Sequence, residues 1–164
     1  MEKYNILFLD FDGVINNSDP NQENDHLLIP DDFNQYNPKL VGNIKTIIHE
    51  FNFKLVISST WRKDYSIQKM NHILNDIMKL DCTILDYTTK EFLDRGLQIS
   101  KWLSEEKYDM NFYVVIDDDT DAAYNHESNF FQVDTFTGFD DLHKIKFNKF
   151  MENLIYDFSK RFKN

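Results

Sequence analysis

Three short apolar runs in this chain each stop on groups that can do chemistry. Leu7-Phe8-Leu9 runs into Asp10-Phe11-Asp12-Gly13, Leu55-Val56-Ile57 into Ser58-Ser59-Thr60, and Val114-Val115-Ile116 into Asp117-Asp118. Runs this short, with no polar alternation, read as strands buried on both faces, which is the environment of a parallel sheet. Between them the apolar period becomes helical. Leu40, Val41, Ile44, Ile47, Ile48 and Phe51 follow a capping Asn37 and a first-turn Pro38; Ile67, Met70, Ile73, Leu74, Ile77 and Met78 mark a second helix; Ile99, Trp102 and Leu103 mark a short one opening near Arg95. Residues 83–85 and 130–133 read as shorter strands, residues 16–37 as polar loop, and the stretch from Asp140 onward as a terminal helix with a basic tail. Strands alternating with helices predict an α/β fold, with a central, mainly parallel sheet of about five strands and helices on both faces. In such sheets ligands bind in the crevice beyond the carboxyl ends of the strands, which is where all three chemical groups fall.

The bulk numbers set limits on partners. A chain of 164 residues with no repeat and no internal linker predicts one domain over residues 1–164, and 41% hydrophobic residues suffice for its core. A net charge of −10 repels nucleic acid and anionic membrane at long range, so a polyanionic partner would need a local basic patch. The single Cys82 excludes an intrachain disulfide and, in its apolar setting, reads as a small buried residue. With no apolar leader after Met1, this points to a reducing, cytoplasmic compartment. No apolar run approaches the roughly 20 residues that span a bilayer.

Each fragment suits one step of phosphoryl chemistry. Asp10 and Asp12 lie two apart just beyond a strand, so that one can attack phosphorus while the other, on a bend, protonates the leaving oxygen and then activates water. Gly13 permits a sharp turn with close backbone approach. Ser58 or Ser59 can donate a hydroxyl hydrogen bond to a phosphoryl oxygen, and Arg95 supplies a fixed positive charge. Arg62 can hold a second phosphate through its forked donors or merely decorate the surface, and Lys90 is a poorer candidate than Arg95 because it lies farther from the helix and from the fourth strand. Asp117, Asp118, Asp119 and Asp121 crowd together after a buried strand, and mutual repulsion there is expected either to be met by a hard cation, Mg²⁺ by its preference for oxygen ligands, or to raise the carboxylate pKa values. Calcium-binding EF-hand registers fail: Phe8 would occupy the first ligand position in one frame, and Ala122 and Ser128 the invariant Gly and Glu positions in the other.

In this order and spacing, the fragments resemble those of the haloacid dehalogenase (HAD) superfamily, most of whose members are magnesium-dependent phosphatases with a Rossmann-like core. Ser59-Thr60-Trp61-Arg62, Arg95-Gly96 with Ile99 and Trp102-Leu103, Ile116-Asp117-Asp118-Asp119, and Val133-Asp134 with Gly138-Phe139 are similar to the small HAD domains of RNA-repair (polynucleotide phosphatase-like) proteins. That family usually carries Leu and Thr after the glycine, where this chain has Phe139 and Asp140. The resemblance implies that Asp10 is the nucleophile that becomes an aspartyl phosphate and Asp12 the general acid and base. Ser58 (or Ser59) and Arg95 would bind the phosphoryl group. Asp118 would ligate Mg²⁺ with Asp10 and the backbone carbonyl of Asp12, and Asp117 would stand beside them. The gap after Val14 is too short and polar for a folded cap, and the gap from Trp61 to Asp94 holds one helix and a short strand that the core itself uses. A capless or minimally capped protein is therefore expected, with an open site suited to phosphates on larger molecules.

The expected function is therefore a magnesium-dependent phosphatase removing terminal phosphates from RNA or DNA ends or from nucleotides, with Arg62 and Lys63 as strand contacts. A phosphatase for mononucleotides or other small phosphoesters, with residues 16–37 as a lid, is the alternative. A non-catalytic HAD-fold binding module is a third reading, against which stands the filling of every chemical position. Neither an obligate protein partner nor a membrane partner is expected.

Overall fold

The computed structural model describes residues 3–161. Its main sheet has five parallel strands, β1 (Tyr4–Leu9), β4 (Phe53–Ile57), β5 (Ile84–Tyr87), β6 (Met110–Asp117) and β7 (Phe130–Gln132), in the spatial order β5-β4-β1-β6-β7. Alternate residues of β1 serve opposite layers. Leu7 and Leu9 join Leu55, Ile57, Val114 and Ile116 beneath α1 (Pro38–Glu50), α2 (Ile67–Asn71) and α4 (Asp141–Arg161), while Ile6 and Phe8 join Val56 and Val115 beneath α3 (Arg95–Ser104). All of these strand residues are fully buried, which is why the runs are continuously apolar; cutting Leu7 or Ile116 back to Ala would cost about 2–5 kcal/mol.

Helix starts are set by local chemistry. The Asn37 side chain accepts from Lys39 N, with Pro38 in the first turn, and the Asp94 carboxylate accepts from Leu97 N to open α3 at Arg95. The second helix departs from the expected continuous pattern. Its α-helical turn ends at Asn71 and residues 72–77 widen into a π-turn, with Met78 N donating to Ile73 O at 2.9 Å. The wider turn buries Ile73 and Leu74 side by side and frees the Asn75 side chain to bond both the N–H and the carbonyl of Cys82. Cys82 itself is only partly buried.

Residues 16–37 are not plain loop. A 3₁₀ turn, Pro20–Asp25, precedes a two-stranded antiparallel ladder of β2 (Leu27–Leu28) and β3 (Gln35–Tyr36), anchored by buried Ile29 and Tyr36. This flap is small, and among the described residues no folded cap stands over the carboxyl ends of the main strands. The last residues of the basic tail, 162–164, lie outside the described residues. Among the described residues no helix is long and apolar enough to cross a membrane.

Candidate active site

In the three central strands, Leu9, Ile57 and Ile116 are in register, so the next residues, Asp10, Ser58 and Asp117, emerge at one level. Asp10 N donates to Ile116 O at 3.0 Å and Ser58 N to Leu9 O at 3.2 Å, extending the ladder one step past the strand ends. The Arg95 guanidinium spans all three. Its Nη1 donates to Asp10 Oδ1 at 2.8 Å and to the Ser58 carbonyl at 2.7 Å, and lies 3.4 Å from Asp117 Oδ2. Arg95 is aimed there by the start of α3, whose first N–H donates to Asp121 Oδ2 at 3.0 Å. Gly96 permits this close approach, because a Cβ there would overlap the Tyr124 carbonyl.

Asp10, Asp117 and Asp118 each offer a carboxylate oxygen, all within 4.8 Å of one another. Burial pushes Asp10 above the ordinary carboxylate range despite the attraction of Arg95. Asp117 is pushed up to about 8, first by burial and then by the charge of Asp10, with Arg95 only partly offsetting both. Burial opposes the Arg95 charge, but the neighbouring carboxylates outweigh it and hold its pKa above the usual value. A divalent cation fits this donor set. Its atoms are all hard carboxylate oxygens, and Asp117 Oδ2 is buried with no hydrogen bond. The backbone makes room for it too: Gly13, at φ +74°, lies so close to Asp118 that a Cβ would overlap the carboxylate. Of the four-acid run, Asp119 and Asp121 turn to backbone N–H groups: Asp119 Oδ1 accepts from Asp121 N and Asp121 Oδ2 from Arg95 N.

Asp12 is exposed, beside rather than inside the cluster. The Trp61 indole N–H donates to both of its oxygens, at 3.2 and 3.1 Å, and Asn16 Nδ2 donates to Oδ1 at 2.9 Å. Asn16 Oδ1 in turn accepts from Gly13 N at 2.8 Å, tying the turn together. Trp61 is buried edge-on against Phe11, with ring centroids 5.1 Å apart, so its donor is fixed. Trp61 and Asn16 were not among the residues expected from sequence to touch the acid pair. Asp12 and Trp61 are 49 positions apart, and no local spacing relates them. Asn16, three residues after Gly13, carries only the weak signal of a turn-forming residue.

The two serines differ. Ser59 Oγ caps the 3₁₀ turn Thr60–Lys63 by accepting from Trp61 N, whereas Ser58 Oγ is fully buried with no hydrogen-bond partner.

Arg62 overturns its expected role as a phosphate or strand contact. It is 1% exposed, and its Nε donates to Thr88 O, its Nη1 to Ser58 O and Ser59 O, and its Nη2 to Thr89 O and Gln98 Oε1. Those bonds use all five guanidinium N–H groups, leaving none for a ligand. Burial, reinforced by the Arg95 charge, lowers its pKa to about 10, still above neutrality. Arg62 is a strut joining the ends of β4 and β5. Lys63 and Lys90, by contrast, are exposed. A larger cavity of about 610 Å³ opens near Met110, Phe112, Phe150 and Leu154, towards the opposite end of β6, and brings no acid–cation pair together.

No curated protein and no solved structure matches the chain. A family model does match, over residues 6–143, and its description is the HAD domain in Swiss Army Knife RNA repair proteins. The match runs from the first strand past Asp10, Ser58, Arg95 and Asp118 into the start of α4, and the parallel sheet with helices on both faces is the α/β core of such a domain. By fold and by sequence, the chain belongs to the HAD domain family of Swiss Army Knife RNA repair proteins.

Proposed function

We propose that this HAD domain is a magnesium-dependent phosphatase that forms an aspartyl phosphate on Asp10 and releases terminal phosphates from nucleic acid or nucleotides. The observation that carries the reading is the convergence of Asp10, Arg95, Asp117 and Asp118 beyond the ends of the central strands, with Asp12 held alongside.

An Asp10 carboxylate oxygen attacks phosphorus, and the bond to the ester oxygen breaks as Asp12 delivers its proton to that oxygen. Asp12, now a carboxylate, takes a proton from water, whose oxygen attacks the same phosphorus. The phosphorus–Asp10 bond breaks, inorganic phosphate leaves, and both acids return to their starting states. Arg95 and the Ser58 hydroxyl donate to the phosphoryl oxygens, and Trp61 and Asn16 keep Asp12 aimed along this path. Mg²⁺ would be held by Asp10, Asp118 and the Asp12 carbonyl, with Asp117 beside them, and would screen the carboxylates from the incoming phosphate.

The exposed placement of Asp12 and the absence of a folded cap among the described residues favour phosphates projecting from a larger molecule. A second reading, a small-phosphoester phosphatase, draws support from the β2–β3 flap, whose exposed Leu27, Leu28 and Phe33 resemble the apolar face of a lid. The test is phosphate release from p-nitrophenyl phosphate with and without Mg²⁺, for wild type and Asp10→Asn, together with hydroxylamine trapping of the acyl phosphate. Magnesium-dependent release lost in the variant is expected. Release that survives in Asp10→Asn refutes the nucleophile. A higher kcat/KM for a mononucleotide than for a 3′-phosphorylated oligonucleotide turns the substrate assignment to the second reading.

A further inference from the structure

Arg95 has two sides. One faces Asp10 and Asp117; the other walls a separate cavity of about 130 Å³ whose lining also includes Thr60, Lys63, Lys90, Phe92 and Leu93. The cavity is built entirely from segments that follow strand ends. Thr60 and Lys63 come from the turn after β4, Lys90 to Leu93 from the segment after β5, and Arg95 from the first turn of α3. It therefore opens on the same side of the sheet as the carboxylates.

Its charge runs against that of the whole chain. In a protein of net charge −10, Lys63 and Lys90 stand exposed, and among the described residues neither has a carboxylate within ion-pairing distance, although Lys39, Lys101, Lys107 and Lys144 all do. Glu91 is the only acid in the lining. Arg62 adds charge from below but no donor, since its N–H groups are all used. Two free ammonium groups, the Thr60 hydroxyl and the flank of Arg95 suit a tetrahedral polyanion. The volume suits one phosphate group with a few waters better than a whole nucleotide, and the exposed faces of Phe92 and Leu93 offer an apolar ledge at the rim.

We propose that this cavity is a second phosphate subsite, which takes a phosphate group of the same substrate next to the one transferred to Asp10. The proposal rests on the phosphatase reading and narrows its substrate class to molecules carrying at least two phosphates. The second phosphate belongs either to the adjoining phosphodiester of an oligonucleotide end or to a nucleoside bisphosphate. A mononucleotide leaves the subsite unfilled.

The test compares kcat/KM for a 3′-phosphorylated dinucleotide, a nucleoside 3′,5′-bisphosphate, a mononucleotide and p-nitrophenyl phosphate. Wild type, Lys63→Gln, Lys90→Gln, the double variant and the α4 control Lys149→Gln are measured. The expected result is a fall of about 10-fold in the ratio of two-phosphate to one-phosphate substrates for each single variant, carried by KM, and no change for Lys149→Gln. A larger loss for the dinucleotide than for the bisphosphate assigns the subsite to a phosphodiester, and the reverse assigns it to a monoester. Equal losses on all substrates, or none, overturn the subsite.

Binding keeps the subsite test independent of turnover. The nucleoside 3′,5′-bisphosphate and a short 3′-phosphorylated oligonucleotide are titrated calorimetrically into Asp10→Asn with Mg²⁺. Losing one lysine should weaken bisphosphate binding about 10-fold and flatten the salt dependence of oligonucleotide binding by about 0.7 in log–log slope. A wild type that releases no phosphate from any substrate sinks the phosphatase reading. Unaltered binding in Lys63→Gln and Lys90→Gln sinks the subsite.

Discussion

Arg62→Lys separates a structural arginine from a ligand-binding one, and the structure sets the size of the effect. Nη1 of Arg62 donates to Ser58 O and Ser59 O at 2.6 Å each, Nε to Thr88 O and Nη2 to Thr89 O at 3.1 Å each, and Nη2 also reaches Gln98 Oε1. A lysine brings three N–H groups on a single nitrogen and cannot span both loops, so at least two buried acceptors lose their donor. At about 1–3 kcal/mol for each unpaired acceptor, the cost is about 2–6 kcal/mol, a large share of a typical domain's stability. For a chain of this length each kcal/mol lowers Tm by about 2–4 °C, so a central loss near 4 kcal/mol predicts a fall of about 8–16 °C.

The assay is urea unfolding and thermal melting of Arg62→Lys beside wild type, with steady-state kinetics on the same samples below the variant's Tm. The Ser58 carbonyl accepts from both Arg62 and Arg95, so kcat should also fall, modestly, as Arg95 loses its anchor. A phosphate ligand would behave in the opposite way, with an unchanged Tm and a KM raised at least 10-fold. A Tm within about 2 °C of wild type, or a rise in KM with kcat intact, refutes the strut.

Three further outcomes are expected. Trp61→Phe keeps the ring against Phe11 but removes the donor to Asp12, so kcat should drop about 10-fold on alkyl phosphates and less on p-nitrophenyl phosphate, whose leaving group needs little proton help; equal losses on both would dismiss the role. Asp10 and Asp117 are raised, so the fold holds their protons more tightly than the unfolded chain, and their contribution to stability is present below the ordinary value of 3.8 and lost as pH rises towards about 8; in EDTA the Tm of wild type relative to Asp117→Asn should fall over that window, Mg²⁺ should reverse the trend, and a rising difference would contradict it. Gly13→Ala forces a Cβ into the Asp118 carboxylate at a positive φ, and should raise the Mg²⁺ concentration for half-activation at least about 10-fold, with a backbone strain of about 1–2 kcal/mol visible in unfolding; unchanged Mg²⁺ activation would remove Gly13 from the site.

What the sequence carried and what it hid divide along the range of the interactions involved. Continuous apolar runs ending at Asp10, Ser58 and Asp117 made the strands legible, because burial on both faces leaves no room for polar alternation. The helix opening near Arg95 was legible because Ile99, Trp102 and Leu103 fall on one face, and the structure adds Asp94 as its cap. Arg62 looked like a ligand because its forked donors suit a phosphate; the return of the chain at Thr88 and Thr89, 26 and 27 residues away, helps consume those donors and leaves no local signal. The π-turn at residues 72–77 escaped for the opposite reason, since α and π spacing differ by one residue and the apolar pattern tolerates both. The flap at residues 16–37 escaped because two-residue strands leave no periodicity to detect.

The charge balance of the centre links the catalytic reading to the neighbouring cavity. One guanidinium cannot balance three ionised carboxylates in a partly buried space, and burial raises both Asp10 and Asp117, the latter further through the charge of Asp10. A divalent cation removes that excess but leaves the centre close to neutral, so the attraction for an incoming phosphate then falls to Arg95 alone. A substrate with a second phosphate gains what the centre lacks, because Lys63 and Lys90 line the adjoining cavity and, among the described residues, neither has a carboxylate within ion-pairing distance. Long-range repulsion from the net charge of −10 makes that local compensation necessary for any polyanion, and salt should expose it. Raising ionic strength should narrow the gap between two-phosphate and one-phosphate substrates in wild type, and Lys63→Gln with Lys90→Gln should already show the narrowed gap at low salt.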